Sequence, residues 1–119
     1  MKFEVLFYED ANGRSHMLEL MSHIDEKMRA KLVSLMEILE EKGIYLREPY
    51  TKHLEDGIFE LRCKLGNNII RTLYFFYAGG KIIFTNGFIK KTNKTPRSMI
   101  LIAKKCRAEY VSRLEKSRW

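Results

Sequence analysis

The sequence predicts one α+β domain over residues 1–119, with the element order β-α-α-β-β-β-α and a central antiparallel sheet. Three observations support this fold class. Apolar residues alternate with polar ones near the N-terminus, recur at helical spacing between residues 17 and 39, and alternate again in three segments after Pro49. With 119 residues, of which 45% are hydrophobic, the chain can bury a core without disulfide bonds.

The first third of the chain is predicted to contain one strand and two helices. Residues 2–9 alternate with the period of two that is typical of a strand. Asp10 or Asn12 can cap the first helix, because an Asx side chain accepts hydrogen bonds from the N–H groups of a first turn. Asp25 caps the second helix in the same way, and Gly43 ends it. The apolar residues at helical spacing, which we assign to the core, are Met17, Leu20, Met21, Ile24, Met28, Leu32, Leu35, Met36 and Leu39.

The middle of the chain is predicted to be a three-stranded antiparallel meander. Polar and apolar residues alternate over residues 58–65, as expected of a strand with one wet and one dry face. Residues 66–68 form a turn into a second strand over residues 69–77. The glycine-containing turn 78–80 then leads into a third strand over residues 81–91.

A C-terminal helix completes the predicted fold. Thr95 is expected to be its N-cap, with Pro96 at the first helical position. The apolar stripe of this helix consists of Met99, Ile102, Ala103, Cys106 and Tyr110. With the helices on one face of the sheet, the opposite face is available for a functional surface.

The turn after residue 65 decides which basic residues meet across the sheet. A two-residue loop at 67–68 places Lys64 opposite Arg71, whereas a loop at 66–67 places Arg62 opposite Arg71. Both loops bring the three basic residues to one face. A three-residue loop without a compensating bulge would send Arg71 to the other face.

The following turn extends this basic face. If Gly79 and Gly80 form a two-residue loop, Arg71 lies opposite Phe88, and Lys90 is on the same side. Like charges that face each other destabilise a sheet, so the presence of several basic residues on one face needs an explanation. There are two interpretations. The basic residues form an anion site, or they are solvated strand positions that Glu60 and other acids screen.

Charge and composition narrow the class of protein. The net charge is +7 and the pI is about 9.5. This positive charge indicates a polyanionic partner such as nucleic acid, or an acidic protein partner, or it only keeps the protein soluble. The two cysteines and three histidines lack the spacing of a metal site, so neither a metal nor a cofactor is expected. No apolar run is long enough to cross a membrane, and we therefore expect a cytoplasmic protein without a membrane partner.

Three stretches resemble the RelE/ParE superfamily of toxins, and more narrowly its phage-derived HigB-like branch. They are Asp56-Gly57-Ile58-Phe59-Glu60-Leu61-Arg62, Ile70-Arg71-Thr72-Leu73-Tyr74 and the most distinctive run, Gly87-Phe88-Ile89-Lys90-Lys91-Thr92-Asn93-Lys94-Thr95-Pro96. The resemblance covers nearly the whole chain and implies a RelE-like fold. It also implies the toxin of a type II toxin–antitoxin system, a ribosome-dependent, metal-independent endoribonuclease that cleaves translated mRNA.

The resemblance also implies a set of catalytic residues. Arg62 and Arg71 would stabilise the phosphate, because a guanidinium grips phosphate oxygens with two parallel hydrogen bonds. Lys90, Lys91 and Lys94 lie where the late basic catalytic residues of the family fall, and one of them would act as acid or base.

Other residues are expected to bind RNA. Lys64 belongs to the basic sheet face, and Phe88 would stack on a base or simply pack. The chain lacks the tyrosine that follows the last strand in RelE and the late histidine of some HigB relatives. His53, which precedes the second strand of the RelE-like order, is a candidate substitute because it titrates near neutrality.

The resemblance implies partners as well. A helix-turn-helix, HigA-like antitoxin would bind the toxin and carry the complex to operator DNA, and the ribosome with its mRNA would be the target. Two alternatives remain open: a ParE-like inhibitor of DNA gyrase without nuclease activity, and a non-enzymatic RNA-binding module.

Overall fold

A computed structural model of the protein confirms the α+β class and describes residues 2–90 and 94–117. The elements are β1 (Glu4–Phe7), α1 (His16–Ser22), α2 (Glu26–Lys42), β2 (Thr51–Glu55), β3 (Ile58–Leu65), β4 (Asn68–Tyr77), β5 (Lys81–Ile89) and α3 (Arg97–Lys116). A short 3-10 helix, Gly43–Tyr45, joins α2 to the segment before β2. Within the described residues, no helix combines the length and the apolar character that a membrane span requires.

The sheet is mixed, and the prediction of a purely antiparallel sheet is wrong. Its strand order is β1-β5-β4-β3-β2, and β1 runs parallel to β5 while the other pairs are antiparallel. The predicted element order also lacked β2. The sequence of this edge strand, Thr51–Glu55, is mainly polar and lacks a clear alternation of apolar and polar residues. Its pairing with β3 also contains a register shift.

Helices cover both faces of the sheet, which corrects the expectation that one face is free of them. α1 and α2 pack on the face that includes Leu61, Ile70 and Phe84. On the other face, α3 buries its apolar stripe against strand residues that include Leu73 and Ile83. The central strands are therefore apolar on both sides. The basic face is open only where α3 does not reach.

The structure selects one of the alternative registers. Leu65 pairs with Asn68, so residues 66–67 form the loop and Arg62 lies opposite Arg71. The next loop is longer than expected, because Tyr77 pairs with Lys81 and leaves three residues between them. A register shift in the β4–β5 pair compensates, and Arg71 still lies opposite Phe88.

The helix caps are confirmed for α2 and corrected for α1. The carboxylate of Asp25 accepts a hydrogen bond from the N–H of Met28 at 2.8 Å, and Gly43 is the C-cap with φ 54°. Ser15, rather than Asp10 or Asn12, caps α1. The carboxylate of Asp10 instead closes the preceding turn.

Two glycines with positive φ allow backbone strain to be separated from crowding. A Cβ at Gly43 would lie 2.2 Å from Cε1 of Phe3, whereas a Cβ at Gly66 would meet no atom within 4 Å. We expect Gly66→Ala to lower the free energy of unfolding by about 1 kcal/mol through strain. Gly43→Ala should lower it by about 1–3 kcal/mol more through overpacking. Urea unfolding of both variants measures the difference, and equal losses would contradict the crowding at Gly43.

Candidate active site

The candidate site is built on a pair of arginines from neighbouring strands. Arg62 of β3 and Arg71 of β4 occupy directly opposed positions, so their side chains leave the same face of the sheet. Arg62 is half-buried, whereas the side chain of Arg71 is only 7% exposed. Two like charges at such positions repel each other, and the structure must contain an anion that offsets this repulsion.

That anion is the carboxylate of Glu60, whose side chain is fully buried. Its Oε2 atom accepts a hydrogen bond from Nε of Arg62 at 2.8 Å and lies 3.5 Å from Nη1 of Arg71. Its Oε1 atom accepts a hydrogen bond from the hydroxyl of Thr95. The same hydroxyl oxygen accepts a hydrogen bond from Nη1 of Arg71 at 3.2 Å. One carboxylate therefore links both guanidinium groups to the segment before α3.

Arg71 has a hydrogen-bond donor that no described residue of the chain engages. Its Nε atom is buried and has no hydrogen-bond partner among the residues that the structure describes. A buried donor without a partner costs free energy, and such groups are rare in native structures. An anion that enters the site from the adjoining cleft would supply acceptors for the arginine pair.

A cleft of about 390 Å³ opens beside this pair, and we call it the arginine cleft. Its lining residues are Lys52, Leu54, Glu55, Glu60, Arg62, Arg71, Lys94, Thr95, Arg97 and Ile100. Five of these carry positive charge and two are carboxylates. Because Glu60 is engaged by the arginine pair and Glu55 by α3, the field in the cleft is positive.

The start of α3 forms one wall of the arginine cleft. Pro96 is the N-cap and Arg97 the first helical residue, so the prediction of Thr95 as N-cap is wrong. The Thr95 side chain is instead turned to Glu60 and Arg71, where it ties the helix start to the sheet. Glu55 adds a second tie, because its carboxylate pairs with Arg97 and with Nζ of Lys104 at 2.5 Å.

The ion pairs with Arg97 and Lys104 lower the pKa of Glu55. The hydrogen bond from Arg97, and then that from Lys104, lower the pKa of this carboxyl group to about 2. Glu55 therefore stays ionised at neutral pH and becomes protonated only in strong acid.

The predicted lysines are distributed over two neighbouring spaces. Lys94 lines the arginine cleft. Lys90 and Lys64 line an adjacent cleft, which also touches Arg62 and Arg71. Lys91 lies outside the described residues. The structure thus brings Lys64, Lys90 and Lys94 around the arginine pair, from two sides.

His53 and Phe88 are not brought into the arginine cleft. His53 lies on the opposite face of the sheet, opposite Phe59, with the ring centroids 4.9 Å apart. Its Nε2 atom accepts a hydrogen bond from the N–H of Gly57 at 3.1 Å. Phe88 is half-buried and packs against the α3 side of the core. Of the two expectations for this residue, stacking on a base or packing, the structure favours packing.

Sequence reasoning missed part of this site. Glu60 was considered only as a screening charge, and Lys52, Thr95 and Arg97 were assigned no role in it. The signal for Glu60 was its position two residues before Arg62, since residues i and i+2 of a strand share a face. The contribution of Arg97 depends on how α3 packs and has no local signal.

The cysteines take no part in the site. Cys63 and Cys106 are both buried, and burial raises the pKa of the Cys106 thiol to about 11. Neither thiol is a ready nucleophile near neutral pH. Within the described part of the chain, no three His, Cys, Asp or Glu side chains are grouped so that they could hold a metal ion.

A comparison with protein families identifies the family of the chain. A family model described as "Phage derived protein Gp49-like (DUF891)" matches residues 19–108, which is more than half of the chain. The matched segment includes Glu60, Arg62, Arg71 and Thr95. No curated protein matches the chain.

The role of Glu60 predicts an asymmetry between two glutamates that both lie near Arg62. Glu60→Gln leaves two guanidinium groups without their buried counter-charge, so we expect the free energy of unfolding to fall by about 3 kcal/mol. The control is Glu48→Gln, because Glu48 lies 3.8 Å from Arg62 but is 66% exposed. This control should change stability by less than about 0.5 kcal/mol. Equal urea midpoints for Glu60→Gln and wild type would contradict the anchoring role.

The lowered pKa of Glu55 predicts a pH dependence of stability. Because its pKa is lower in the folded chain than the ordinary value of 4.5, the carboxylate stabilises the fold above about pH 5. This stabilisation is lost as the pH falls from about 4.5 to about 2. Glu55→Gln should therefore have a lower urea midpoint than wild type at pH 7, and the difference should shrink with acidification. Glu37→Gln, at an exposed position of α2, is the control, and a constant difference for Glu55→Gln would contradict the prediction.

Proposed function

The chain belongs to the phage-derived Gp49-like family, which is toxin-like, and we propose that it is the toxin of a type II toxin–antitoxin system, of the HigB-like branch. We propose further that it is a ribosome-dependent, metal-independent endoribonuclease that cleaves translated mRNA and so inhibits protein synthesis. The observation that supports this activity best is the pair of arginines at the arginine cleft, which one buried carboxylate holds. The buried Nε donor of Arg71 has no partner among the described residues.

The proposed reaction makes defined demands on the site. The ribose 2′-oxygen attacks the adjacent phosphorus, the bond to the 5′-oxygen breaks, and a 2′,3′-cyclic phosphate and a 5′-hydroxyl remain. A base takes the 2′-hydroxyl proton, and an acid protonates the leaving 5′-oxygen. Negative charge builds up on the phosphate oxygens between these two proton transfers, and fixed donors must stabilise it.

Arg62 and Arg71 fit the demand for fixed donors. Each guanidinium offers planar N–H groups that match two phosphate oxygens. Because Glu60 holds both groups before the substrate arrives, little reorganisation is needed as the charge develops. The two arginines are therefore proposed to bind the scissile phosphate and stabilise the transition state.

The lysines are proposed to move the protons. Lys94 lines the arginine cleft, and Lys90 lines the adjacent cleft on the other side of the arginine pair. This placement on two sides fits a reaction in which one group removes a proton and another delivers one. Lys91 belongs to the proposed set by resemblance. The position of His53 on the opposite face makes it a poor candidate for the base.

The toxin-like family suggests an antitoxin as a partner, and we propose the ribosome with its mRNA and operator DNA as further partners. A cognate helix-turn-helix, HigA-like antitoxin would neutralise the toxin, and the complex would bind operator DNA through the antitoxin. The positive charge of the arginine cleft fits RNA as a ligand, because Lys and Arg side chains neutralise backbone phosphates and release bound counterions. The proposal places the site in the cytoplasm, where translation occurs.

The nuclease proposal predicts a specific loss of mRNA cleavage when Arg71 is changed. Brief induction of the wild-type chain should arrest growth and produce new mRNA 5′ ends inside translated regions. Arg71→Lys keeps the charge but removes the planar pair of donors, so we expect cleavage to fall roughly 10²–10³-fold. The control is Arg107→Lys, since Arg107 binds Asp56 away from the arginine cleft. It should cleave like wild type.

Two outcomes of this mapping experiment would contradict the proposal. Growth arrest without new 5′ ends would favour a ParE-like inhibitor of DNA gyrase. New 5′ ends that persist in Arg71→Lys, at the level of Arg107→Lys, would show that Arg71 does not stabilise the reaction. The thermal midpoint of each variant, measured in parallel, separates loss of activity from loss of folding.

A further inference from the structure

A second cleft adjoins the arginine pair on the side away from the start of α3, and we call it the tyrosine cleft. It has a volume of about 310 Å³ and shares Arg62 and Arg71 with the arginine cleft. Lys31, Lys64 and Lys90 add positive charge, and no acidic residue of the described chain lines it. Its volume is at the lower end of the roughly 300–1,000 Å³ of small-molecule sites.

Tyr50 gives this cleft an aromatic side chain on a fixed backbone. Its carbonyl oxygen accepts a hydrogen bond from the N–H of Arg62 at 2.7 Å, and its own N–H donates to the carbonyl of Arg47 at 3.0 Å. The residue is nevertheless 48% exposed and lines the cleft beside Pro49. Packing in the core therefore does not account for the aromatic side chain at this position.

The two clefts meet at the arginine pair, which has consequences for a bound chain of nucleotides. A phosphate on Arg62 and Arg71 would have one neighbouring nucleotide on the α3 side and the other on the side of Tyr50. Single-stranded RNA exposes its bases, and proteins commonly bind such bases by stacking them on aromatic rings next to cations that contact the backbone. The tyrosine cleft offers both types of group.

We infer that the tyrosine cleft is a base-binding subsite for single-stranded RNA, in which Tyr50 stacks on the base of a nucleotide next to the phosphate held by Arg62 and Arg71. This inference rests on the proposed function, since it takes the arginine pair as the phosphate site. The lysines of the cleft contact the backbone, whereas Tyr50 contributes by stacking, which depends little on salt.

The test is the binding of a short, fluorescein-labelled single-stranded RNA, followed by fluorescence anisotropy. Tyr50→Ala should weaken binding roughly 5- to 100-fold, because one stacked base is lost. Tyr50→Phe keeps the ring and should bind within about twofold of wild type. The matched control is Tyr45→Ala, because Tyr45 is 76% exposed in the 3-10 helix and lines neither cleft. It should bind like wild type.

Salt dependence provides a second readout that a merely structural role would not produce. The slope of log affinity against log salt should be unchanged in Tyr50→Ala, because no phosphate contact is lost. Lys64→Ala should make this slope shallower by about one, as expected for one lost ionic contact. A shallower slope in Tyr50→Ala would overturn the assignment of Tyr50 to a base.

The remaining outcomes separate this inference from the proposed nuclease activity. Wild-type affinity in Tyr50→Ala, equal losses in Tyr50→Ala and Tyr45→Ala, or no RNA binding by the wild-type chain would overturn the subsite. Binding that depends on Tyr50, in a protein that produces no new mRNA 5′ ends in cells, would support the subsite and contradict the nuclease. New 5′ ends together with wild-type affinity of Tyr50→Ala for RNA would support the nuclease and contradict the subsite.

Discussion

The basic site of this protein depends on one buried carboxylate. Arg62 and Arg71 face each other across adjacent strands, and their mutual repulsion would oppose the pairing of β3 with β4 if Glu60 did not lie between them. The same carboxylate accepts the hydroxyl hydrogen of Thr95 and thereby places the start of α3. Sheet register, arginine geometry and helix position are thus linked through Glu60, which explains why the arginine pair lies beside the start of α3.

Much of this arrangement could be predicted from local sequence patterns. Alternation along the strands placed Arg62 and Arg71 on one face, and the glycine-rich turn restricted the register to a few alternatives. The correct register follows from Gly66, whose positive φ of 62° suits the first position of a two-residue hairpin loop, where type II′ turns favour glycine. The α+β class and the cap of α2 at Asp25 were likewise predictable, because each depends on residues close together in the chain.

The features that could not be predicted depend on residues far apart in sequence. The parallel pairing of β1 with β5 cannot be predicted from a turn, because no short loop connects the two strands. The edge strand β2 has a mainly polar sequence, so it lacks the apolar alternation that predicts a strand. The apolar stripe of α3 predicts burial but not the face of the sheet on which it occurs. For the same reason Arg97 and Thr95 entered the candidate site only with the structure, and the position of His53 on the opposite face of the sheet could not be predicted.

The pairing of the first strand with the last has a consequence for synthesis of the protein. β1 is synthesised before its partner β5 and before α3, the helix that completes the arginine cleft. A nascent chain therefore cannot close this sheet or assemble the cleft until β5 and the start of α3 have emerged from the ribosome. The arginine pair on β3 and β4 is thus made before the elements that complete its site.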